Sequence, residues 1–520
     1  MTKKYTWIQR GILRSSAIAA ITVALGACAV GPDYKRPNAD VPAKFKENAS
    51  WHEDWTTAEP SDAFKRGAWW EIFGDAKLNE LEAQVDGANQ SLAQAEAQFR
   101  QAAALVSQAR ASYFPTIGIS ASATRSGRYS NDSGGIITGT GTVVGGTTGT
   151  TTTLNGSRIA NEYSLPISAS WEPDLWGRVR RTVEQQAGNA QASAATLEST
   201  RLSLHAQLAQ DYFQLRIVDE QKRLLEDTVA AYRKSLQLTQ NQYNVGVAAR
   251  SDVVQADTQL KQAQVQAIDL GVSRAQLEHA IALLIGKTPA EFSLDAVKFD
   301  IKPPAIPVGV SSQLLQRRPD VAVAERQAMS ANAQIGLAES AYFPTLNLSA
   351  TAGYQSSSFS KWLTAPSRFW SLGPELAETI FDGGLRHAQT AQARAAFDAA
   401  AANYREVSLA AFQNVEDNLS ALRVLEAESA AQADAVAAAE EALKITLNQY
   451  RAGTVSYLNV ITSQATAYSN ERNAISILGN RLTDSVGLIE AIGGGWDESR
   501  LPAPHAIGAD SSAPKATAKD

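Results

Sequence analysis

Four segments of the chain alternate apolar residues with small polar ones, which is the two-residue period of a β-strand. The first segment follows Pro115 and the third follows Pro344. Their apolar positions are Ile117, Ile119, Ala121 and Ala123; Tyr163, Leu165, Ile167, Ala169 and Trp171; Leu346, Leu348, Ala350, Ala352 and Tyr354; and, less cleanly, Trp370, Leu372, Pro374 and Leu376. The pattern predicts four strands arranged as two hairpins.

Each predicted strand has about ten residues, the length that a tilted strand needs to cross a bilayer. Aromatic residues stand at the strand ends, as in the interfacial girdles of membrane barrels. They are Tyr113, Phe114, Trp171, Tyr342, Phe343, Phe369 and Trp370. An antiparallel sheet of a soluble domain would alternate in the same way. Because the opposite face carries Ser, Thr, Gly and Asn with almost no charge, the pattern favours a membrane β-barrel.

A helical period occupies two long stretches without proline, 174–288 and 375–501. Apolar residues recur there at alternating steps of three and four, which is the seam of a coiled coil. Only Gly188 interrupts 178–245, so one helix of roughly 65 residues, on the order of 100 Å long, is predicted. Gly246 and Gly453 suit left-handed helix ends, after which helices run back to about 285 and 492. Shorter helices are predicted at about 77–111 and 311–341.

The strands and helices occur twice in the same order. Tyr113-Phe114-Pro115-Thr116 returns 229 residues later as Tyr342-Phe343-Pro344-Thr345, and Gln242-Tyr243-x-x-Gly246 returns 207 residues later as Gln449-Tyr450-x-x-Gly453. Trp176-Gly177-Arg178 has a looser echo in Phe381-Asp382-Gly383-Gly384. The chain is therefore one unit duplicated, with a longer polar loop, 129–157, in the first copy.

Four strands cannot close into a barrel, since the smallest filled barrels need about eight. Open sheet edges are excluded from lipid because their backbone groups would have no hydrogen-bond partners. The chain must therefore share a barrel with copies of itself. Two copies would give eight strands and a lumen plugged by side chains, and three would give twelve strands and an open lumen. The small, uncharged inner face fits the wider barrel, but the sequence alone leaves the number open.

The N-terminus has the features of an export signal. Four basic residues precede an apolar segment, 15–27, that is too short to span a bilayer. The segment ends in Leu25-Gly26-Ala27-Cys28, which resembles a bacterial lipobox. Multiple acylation of Cys28 would make a durable membrane anchor, because one acyl chain holds a protein only weakly. The alternative is an ordinary cleaved signal with an incidental cysteine.

Composition argues against several other functions. The chain of 520 residues has one cysteine, five scattered histidines, 19% charged residues and a net charge of −6. A disulfide within one chain is therefore impossible, no Cys/His metal site is predicted, and no basic patch suggests nucleic acid. No nucleophile motif suggests an enzyme. We expect no cofactor other than the lipid on Cys28.

Several further motifs occur in order along nearly the whole chain. They are Gly31-Pro32-Asp33-Tyr34-Lys35-Arg36-Pro37, Trp69-Trp70, Trp171-Glu172-Pro173-Asp174-Leu175-Trp176-Gly177-Arg178, Arg318-Pro319-Asp320-Val321-x-x-Ala324-Glu325 and the two Tyr-x-x-Gly tips. Together with the lipobox, these motifs resemble those of TolC-type outer membrane efflux proteins. They match in particular the lipoprotein branch, the OprM-like NodT family, which serves resistance-nodulation-division pumps.

The resemblance implies an α+β membrane protein with internal duplication. Each chain would contribute four strands to a trimeric twelve-stranded β-barrel in the outer membrane, fused to a long α-helical coiled-coil barrel in the periplasm. It further implies a homotrimer, a periplasmic adaptor protein that docks at the helical tips, and an inner membrane transporter. The chain would be a passive conduit that exports small molecules such as drugs, toxic compounds or metals.

The expected domain boundaries combine these predictions. They are a signal peptide, 1–27; a lipid-anchored extended tether, 28–65; a first structural repeat, 66–290; a linker, 291–310; a second repeat, 311–498; and a disordered tail, 499–520.

The candidate site residues lie at the two periplasmic tips, where a gate is implied by the resemblance. They are Tyr243, Gly246 and Asp252 at the first tip, and Tyr450, Gly453 and Asn459 at the second. The resemblance assigns an inter-helix contact to Tyr450 and a selectivity ring to Asp252. The chain departs from the family at Asn459, Thr462 and Val455, which puts the acidic ring in doubt at the second tip.

Each tip residue also has a structural alternative. Asp252 could be a helix N-cap after the turn, and Tyr243 and Tyr450 could be seam residues of the coiled coil. Two rival functions also stay open. One is an outer membrane conduit for type I protein secretion, and the other is a periplasmic coiled-coil lipoprotein without a pore.

Overall fold

A computed structural model describes residues 30–39, 45–47, 68–128, 158–299, 301–304, 306 and 316–508. The predicted signal peptide, Cys28 and the 129–157 loop lie outside these residues. The sheet belongs to one compact unit, which includes 108–183 and 335–391, and the helical tips and main hydrophobic core belong to a second, which includes 33–107, 184–334 and the chain from 392.

The two repeats contain corresponding elements. The first repeat has helices α1 (Ala76–Ala88) and α2 (Gln90–Ala111), strands β1 (Thr116–Ile119), β2 (Ser122–Arg128) and β3 (Arg158–Trp171), and helices α3 (Arg178–Asn244) and α4 (Arg250–Leu284). The second has helix α5 (Pro319–Ser340), strands β4 (Thr345–Ser356) and β5 (Arg368–Ala377), and helices α6 (Leu385–Arg451) and α7 (Tyr457–Ala491). Because α3 and α6 have 67 residues each and α4 and α7 have 35, the predicted helical hairpins are confirmed.

The helix expected at 77–111 is instead two helices, because Asn89 separates α1 from α2. The Asn89 backbone is extended. Its side-chain Oδ1 accepts from the backbone N–H groups of Ser91 and Leu92 at 2.9 and 3.1 Å, which caps α2. Its Nδ2 donates to the carbonyl oxygen of Leu284 at 2.8 Å. This contact fixes the break against the end of α4.

The strands form one antiparallel sheet in the order β1-β3-β4-β5, with β2 also paired to β3. Thr116 faces Ser170 and Ser122 faces Ser164, so β1 and β2 keep a single register and are one strand interrupted at residues 120–121. Both predicted hairpins are confirmed, and the β3–β4 pairing joins the two repeats. Among the described residues, the outer edges of β1, β2 and β5 have no strand partner.

The apolar face of the sheet is exposed. Ile117, Ile167 and Leu372, on three different strands, all point to this face and all have at least half of their surface accessible. An apolar strand face of this extent is typical of a surface that meets a membrane or another protein.

The main hydrophobic core lies in the second unit, where the segment before α1 packs on the middle of α3. A short 3₁₀ helix, Trp69–Phe73, buries Trp69, Trp70 and Phe73, and the Phe73 and Phe213 rings lie 4.8 Å apart. Leu294, Phe299 and Ile306 of the predicted linker, and Phe45 of the predicted tether, are buried in the same core. The tether is therefore packed on the helices at this point.

The structure differs from the predicted disordered tail at residues 499–508. Pro502 accepts a hydrogen bond at its carbonyl oxygen from Gln191 Nε2 at 3.0 Å. Gly508 accepts one from Ser107 Oγ at 3.0 Å. Ile507 is buried beside Val106 and Ala190. Residues 509–520 lie outside the described residues.

In the part of the chain that the structure describes, no helix has both the length and the hydropathy of a membrane span.

Candidate functional site at the helical tips

Both helical hairpins turn through the same backbone motif. Gly246 and Gly453 have φ angles of 79° and 75°, in the left-handed region that favours glycine. The N–H of Gly246 donates to the Tyr243 carbonyl oxygen and that of Val247 to the Gln242 carbonyl oxygen, at 3.0 and 2.9 Å. The second tip repeats this pair of bonds at Gly453 and the residue after it. This is a Schellman helix end at each tip, and it explains why glycine occupies both positions.

At the second tip, two tyrosines connect α6 and α7 to α3. Tyr450 and Tyr457 are 5% and 1% exposed, and their rings lie 5.3 Å apart. The Tyr450 hydroxyl donates to Thr239 Oγ1 at 3.2 Å, and the Tyr457 hydroxyl donates to Ser235 Oγ at 3.4 Å. Ala256 of α4 is buried in the same cluster. The cluster therefore joins helices from both repeats near their tips.

Burial raises the pKa of the Tyr450 and Tyr457 hydroxyls, and the negative charge of Asp252 adds to the rise at both. The hydrogen bonds to Thr239 and Ser235 act in the opposite direction. Both phenols therefore stay protonated near neutral pH and remain hydrogen-bond donors. Ala256, one helical turn after Asp252, is buried in the same cluster, so the structure places the start of α4 beside the two tyrosines.

Asp252 occupies the third position of α4 and is not its N-cap. Ala249 is the N-cap residue, and its backbone N–H donates to the Asp252 carboxylate at 3.4 Å. This is half of a capping box, because the Ala249 side chain has no acceptor for the return bond. The N-cap alternative for Asp252 is therefore wrong in position, although the carboxylate does stabilise the helix start.

The two tips differ in how their predicted residues are placed. Tyr243 is 40% exposed whereas Tyr450 is buried, so the two tyrosines are equivalent in sequence but not in environment. Asn459 is exposed in the first turn of α7, and Val455 packs against the tyrosine cluster. The predicted residues of the second tip therefore divide into a buried Tyr450 and a solvent-facing Asn459.

Sequence comparison of the repeats missed three members of the cluster. Tyr457 corresponds in the first repeat to Arg250, so no echo marks it. Ser235 and Thr239 stand one helical turn apart, and the Thr239 hydroxyl donates to the Ser235 carbonyl oxygen at 3.0 Å. Hydroxyl residues one turn apart within an apolar seam are the signal that could have identified this acceptor pair.

The family-like motifs near the N-terminus meet far from the tips. Arg36 Nη2 lies 2.9 Å from Glu325 Oε2, and Arg36 Nε donates to the Tyr404 hydroxyl at 3.1 Å. Burial raises the pKa of the Glu325 carboxyl, and Arg36 opposes the rise. The Gly-Pro-Asp-Tyr-Lys-Arg-Pro segment is thus held against α5 by an ion pair between the exposed Arg36 and the buried Glu325, and against α6 by the hydrogen bond to Tyr404.

Among the described residues, no group of three or more His, Cys, Asp or Glu side chains is arranged to hold a metal ion.

Comparisons with known proteins agree with this architecture. A family model described as "Outer membrane efflux protein" matches residues 83–287 and 310–494. The chain is 30% identical over 488 residues to the probable efflux pump outer membrane protein TtgC of Pseudomonas putida, with 93% of this chain and 96% of TtgC covered. It is 26% identical over 486 residues to the cation efflux system protein CusC of Escherichia coli O157:H7, with 92% and 98% covered. The solved structure of the outer-membrane channel OprN superimposes with a TM-score of 0.79 at 29% identity, over 90% of this chain and 100% of OprN.

Proposed function

Because the chain belongs to the outer membrane efflux protein family, we propose that three copies of it share one closed barrel and one helical tunnel. The protein is the outer membrane channel of a tripartite efflux pump and not an enzyme. It conducts what an inner membrane transporter delivers, and the transporter supplies the energy.

The observation that carries this proposal is the sheet, whose two outer edges have no strand partner among the residues that the structure describes and whose apolar face is exposed. In hydrocarbon, every unpaired backbone group costs several kcal/mol, so both edges need a strand partner. Counting β1 and β2 as one strand, each chain supplies four. Three chains supply twelve, which is enough for a barrel with an open lumen.

The helical hairpins of the three copies form the tunnel of the proposed assembly. Each chain supplies four long helices, α3, α4, α6 and α7, so a trimer supplies twelve. Their tips are the surface for a periplasmic adaptor protein, which connects the channel to a resistance-nodulation-division transporter. The exported compounds are small toxic molecules, either organic compounds or metals; the similarity to a cation efflux protein supports metals, and the similarity to a toluene efflux pump protein of Pseudomonas putida supports organic compounds.

A lipid on Cys28 anchors each chain to the outer membrane in this proposal. Support comes from the position of the chain just after that residue. The Val30 N–H donates to the Trp176 carbonyl oxygen at 3.2 Å, and the Arg181 guanidinium donates to the carbonyl oxygens of Val30 and Gly31, both at 3.0 Å. Trp176 follows β3 by five residues, so the N-terminal segment is fixed near the end of a strand.

The tips form the gate of the proposed channel. The buried Tyr450 and Tyr457 hold α6 and α7 to α3, and splaying of the helices would break their hydrogen bonds to Thr239 and Ser235. Asp252 places a negative charge at each first tip. Three copies of Asp252 would therefore make an acidic ring, to which the uncharged Asn459 adds nothing.

The function is tested with the full-length chain in outer membranes and in planar bilayers. We expect a trimer band that dissociates on heating, discrete channel conductance, and restored resistance to toxic compounds in a strain that lacks its efflux channels. A monomer without conductance would contradict the proposal and support the lipoprotein without a pore. Restored protein export without restored resistance would support the secretion conduit.

A further inference from the structure

The internal duplication determines which residues meet where two copies join, and this inference rests on the trimer proposed above. We propose that β5 of one copy pairs antiparallel with β1 and β2 of the next, in the register that places Ser371 opposite Ser126 of the partner subunit. Nothing but a second copy of this chain supplies the edge that the register requires.

The two hairpins are the same unit in backbone register. Thr116 faces Ser170 in the first hairpin, and Thr345 faces Ala377 in the second. Thr116 and Thr345 are counterparts because both follow the Tyr-Phe-Pro landmark. Ser170 and Ala377 are therefore counterparts as well, which makes β5 the repeat of β3, and β4 the repeat of β1 and β2.

The chain already contains one junction, or joint, between repeats, the β3–β4 pairing, and its register predicts the register of the joint between two chains. At the β3–β4 joint, Ser164 faces Gln355. The counterpart of Ser164 is Ser371 and that of Gln355 is Ser126, by the offsets established above. If both joints of the barrel are built alike, Ser371 faces Ser126 of the partner subunit. By the same rule, Ser168 facing Thr351 predicts Glu375 facing Ser122 of the partner subunit.

The proposed register keeps each face of the sheet uniform. It places the apolar Leu376 opposite Ala121 of the partner subunit, and the polar Glu375 opposite Ser122 of the partner subunit. A slip of one residue would turn the apolar side chains of one strand toward the opposite face, which excludes it. A slip of two residues would keep each side chain on its proper face. It would, however, give the strand pairing between chains a different register from the β3–β4 pairing within each chain.

Aromatic side chains beside the strands support the same joint. Within the chain, the Trp176 ring stacks on Phe343 at 4.9 Å, and Trp176 Nε1 donates to the Pro344 carbonyl oxygen at 2.7 Å. The counterpart of Phe343 is Phe114, which is 71% exposed, and Phe381 before α6 is 87% exposed. The proposed register brings the segment after β5 beside the partner subunit's Phe114. Phe381 can then cover that ring, as Trp176 covers Phe343.

Cysteine pairs test the register directly. Residues that face each other in antiparallel strands have Cα atoms about 4.5–5.5 Å apart, which suits a disulfide. A two-residue slip separates them by about a further 7 Å along the strand. In the full-length chain in outer membranes, we expect S126C with S371C to form covalent dimers and trimers on oxidation, visible on heated, non-reducing gels and removed by a reductant.

Four control chains complete the experiment. Residues 164 and 355 face each other within one chain, so the pair S164C with Q355C should form a disulfide inside the chain and give no covalent oligomer. The pairs T124C with S371C and R128C with S371C represent the two registers slipped by two residues. The unmodified chain, whose one cysteine is Cys28, shows the background. Covalent trimers from a slipped pair, without any from S126C with S371C, would overturn the register.

The second pair, S122C with E375C, gives an independent reading of the register if the first pair disturbs folding. A native trimer with normal conductance that neither pair can cross-link would overturn the inference and leave the proposed function intact. An unmodified chain that forms no trimer would instead contradict the proposed function, so the two failures are distinguishable.

Discussion

Tyr450, from the second repeat, donates its hydroxyl hydrogen to Oγ1 of Thr239, from the first repeat, across 3.2 Å, and both side chains are buried. The Thr239 hydroxyl donates onward to the Ser235 carbonyl oxygen at 3.0 Å. Thr239 thus uses its single donor within its own helix and accepts from Tyr450 with a free lone pair. The Tyr450–Thr239 hydrogen bond is therefore a directed contact between the repeats near the tips, beside the one from Tyr457 to Ser235.

Replacing Tyr450 with phenylalanine should loosen the tips. Tyr450→Phe keeps the ring among its apolar neighbours but removes the hydrogen bond to Thr239, a loss of about 1 kcal/mol for each chain. We expect a higher open probability in single-channel recordings and a change in drug susceptibility of the host strain. Thr239→Val removes the same bond from the other side, so the double variant should behave like either single one.

The matched control for this prediction is Tyr243→Phe. Tyr243 is the sequence counterpart of Tyr450 but is exposed, so removal of its hydroxyl should leave the open probability unchanged. Equal conductance and susceptibility in Tyr450→Phe and the unmodified chain would show that Tyr450 only fills the coiled-coil seam.

Two substitutions separate the roles of Asp252. Asp252→Asn keeps an oxygen that can accept from the Ala249 N–H but removes the charge, so we expect weaker cation preference, measured as the reversal potential in a salt gradient. Asp252→Ala also removes the acceptor and should in addition raise the open probability. Loss of the carboxylate costs about 0.3–1 kcal/mol at a helix N-terminus.

Asn459→Asp is the complementary variant. Asn459 is exposed, so a carboxylate there should be tolerated and should increase cation preference. An unchanged reversal potential in both Asp252→Asn and Asn459→Asp would show that the tip charges do not select ions, which would leave Asp252 with only its contact to the Ala249 N–H.

The sequence predicted the elements whose periodic pattern extends over many residues. The long first helix is present as predicted, as α3, because a seam repeated over 67 residues outweighs local exceptions. The break at Asn89 was missed because the helical composition continues on both sides. The break depends on the Leu284 carbonyl oxygen, which comes from a distant part of the chain.

The residues of the tip site were predicted only in part, for a related reason. Comparison of the repeats identifies what both tips share, such as the left-handed glycines. Burial of Tyr450 depends on Tyr457, Ser235 and Thr239, and Tyr457 has no like residue in the first repeat. The composition of the tail likewise predicts disorder around Ile507, because the contacts of Ile507 with Val106 and Ala190 arise from tertiary packing.

Acylation of Cys28 is tested by labelling. In cells grown with labelled palmitate, the unmodified chain should carry the label in the outer membrane fraction, and Cys28→Ser should carry none. Because the strands can still insert, we expect Cys28→Ser to retain heat-dissociable trimers at a reduced amount. Label on Cys28→Ser would contradict the lipobox.

A buried carboxyl beside His205 makes stability depend on pH. Glu82 is fully buried and its Oε2 lies 2.6 Å from His205 Nδ1. The Trp70 ring stacks on His205 at 4.5 Å. Burial raises the pKa of Glu82 from 4.5 to about 7, against the lowering effect of the hydrogen bond and charge of His205, and the nearby Asp86 adds to the rise.

This shift has a definite sign. Since the pKa of Glu82 is higher in the folded state, the folded chain holds a proton between pH 4.5 and 7 that the unfolded chain releases. The stabilising contribution is present below pH 4.5 and is lost as the pH rises through 7. We therefore expect the thermal unfolding temperature of the purified protein to decrease as the pH is raised from about 5 to 7. In Glu82→Gln, whose side chain cannot titrate, this decrease should be smaller.

Asp86→Asn is the control, because Asp86 lies near His205 Nε2, at 3.6 Å, but its side chain is 54% exposed. The fall in the unfolding midpoint should persist in this variant, since solvent screens the Asp86 charge and the burial of Glu82 is unchanged. A fall of the same size in Glu82→Gln as in the unmodified chain would show that other groups cause it. A flat profile in the unmodified chain would show that burial does not raise the pKa of Glu82.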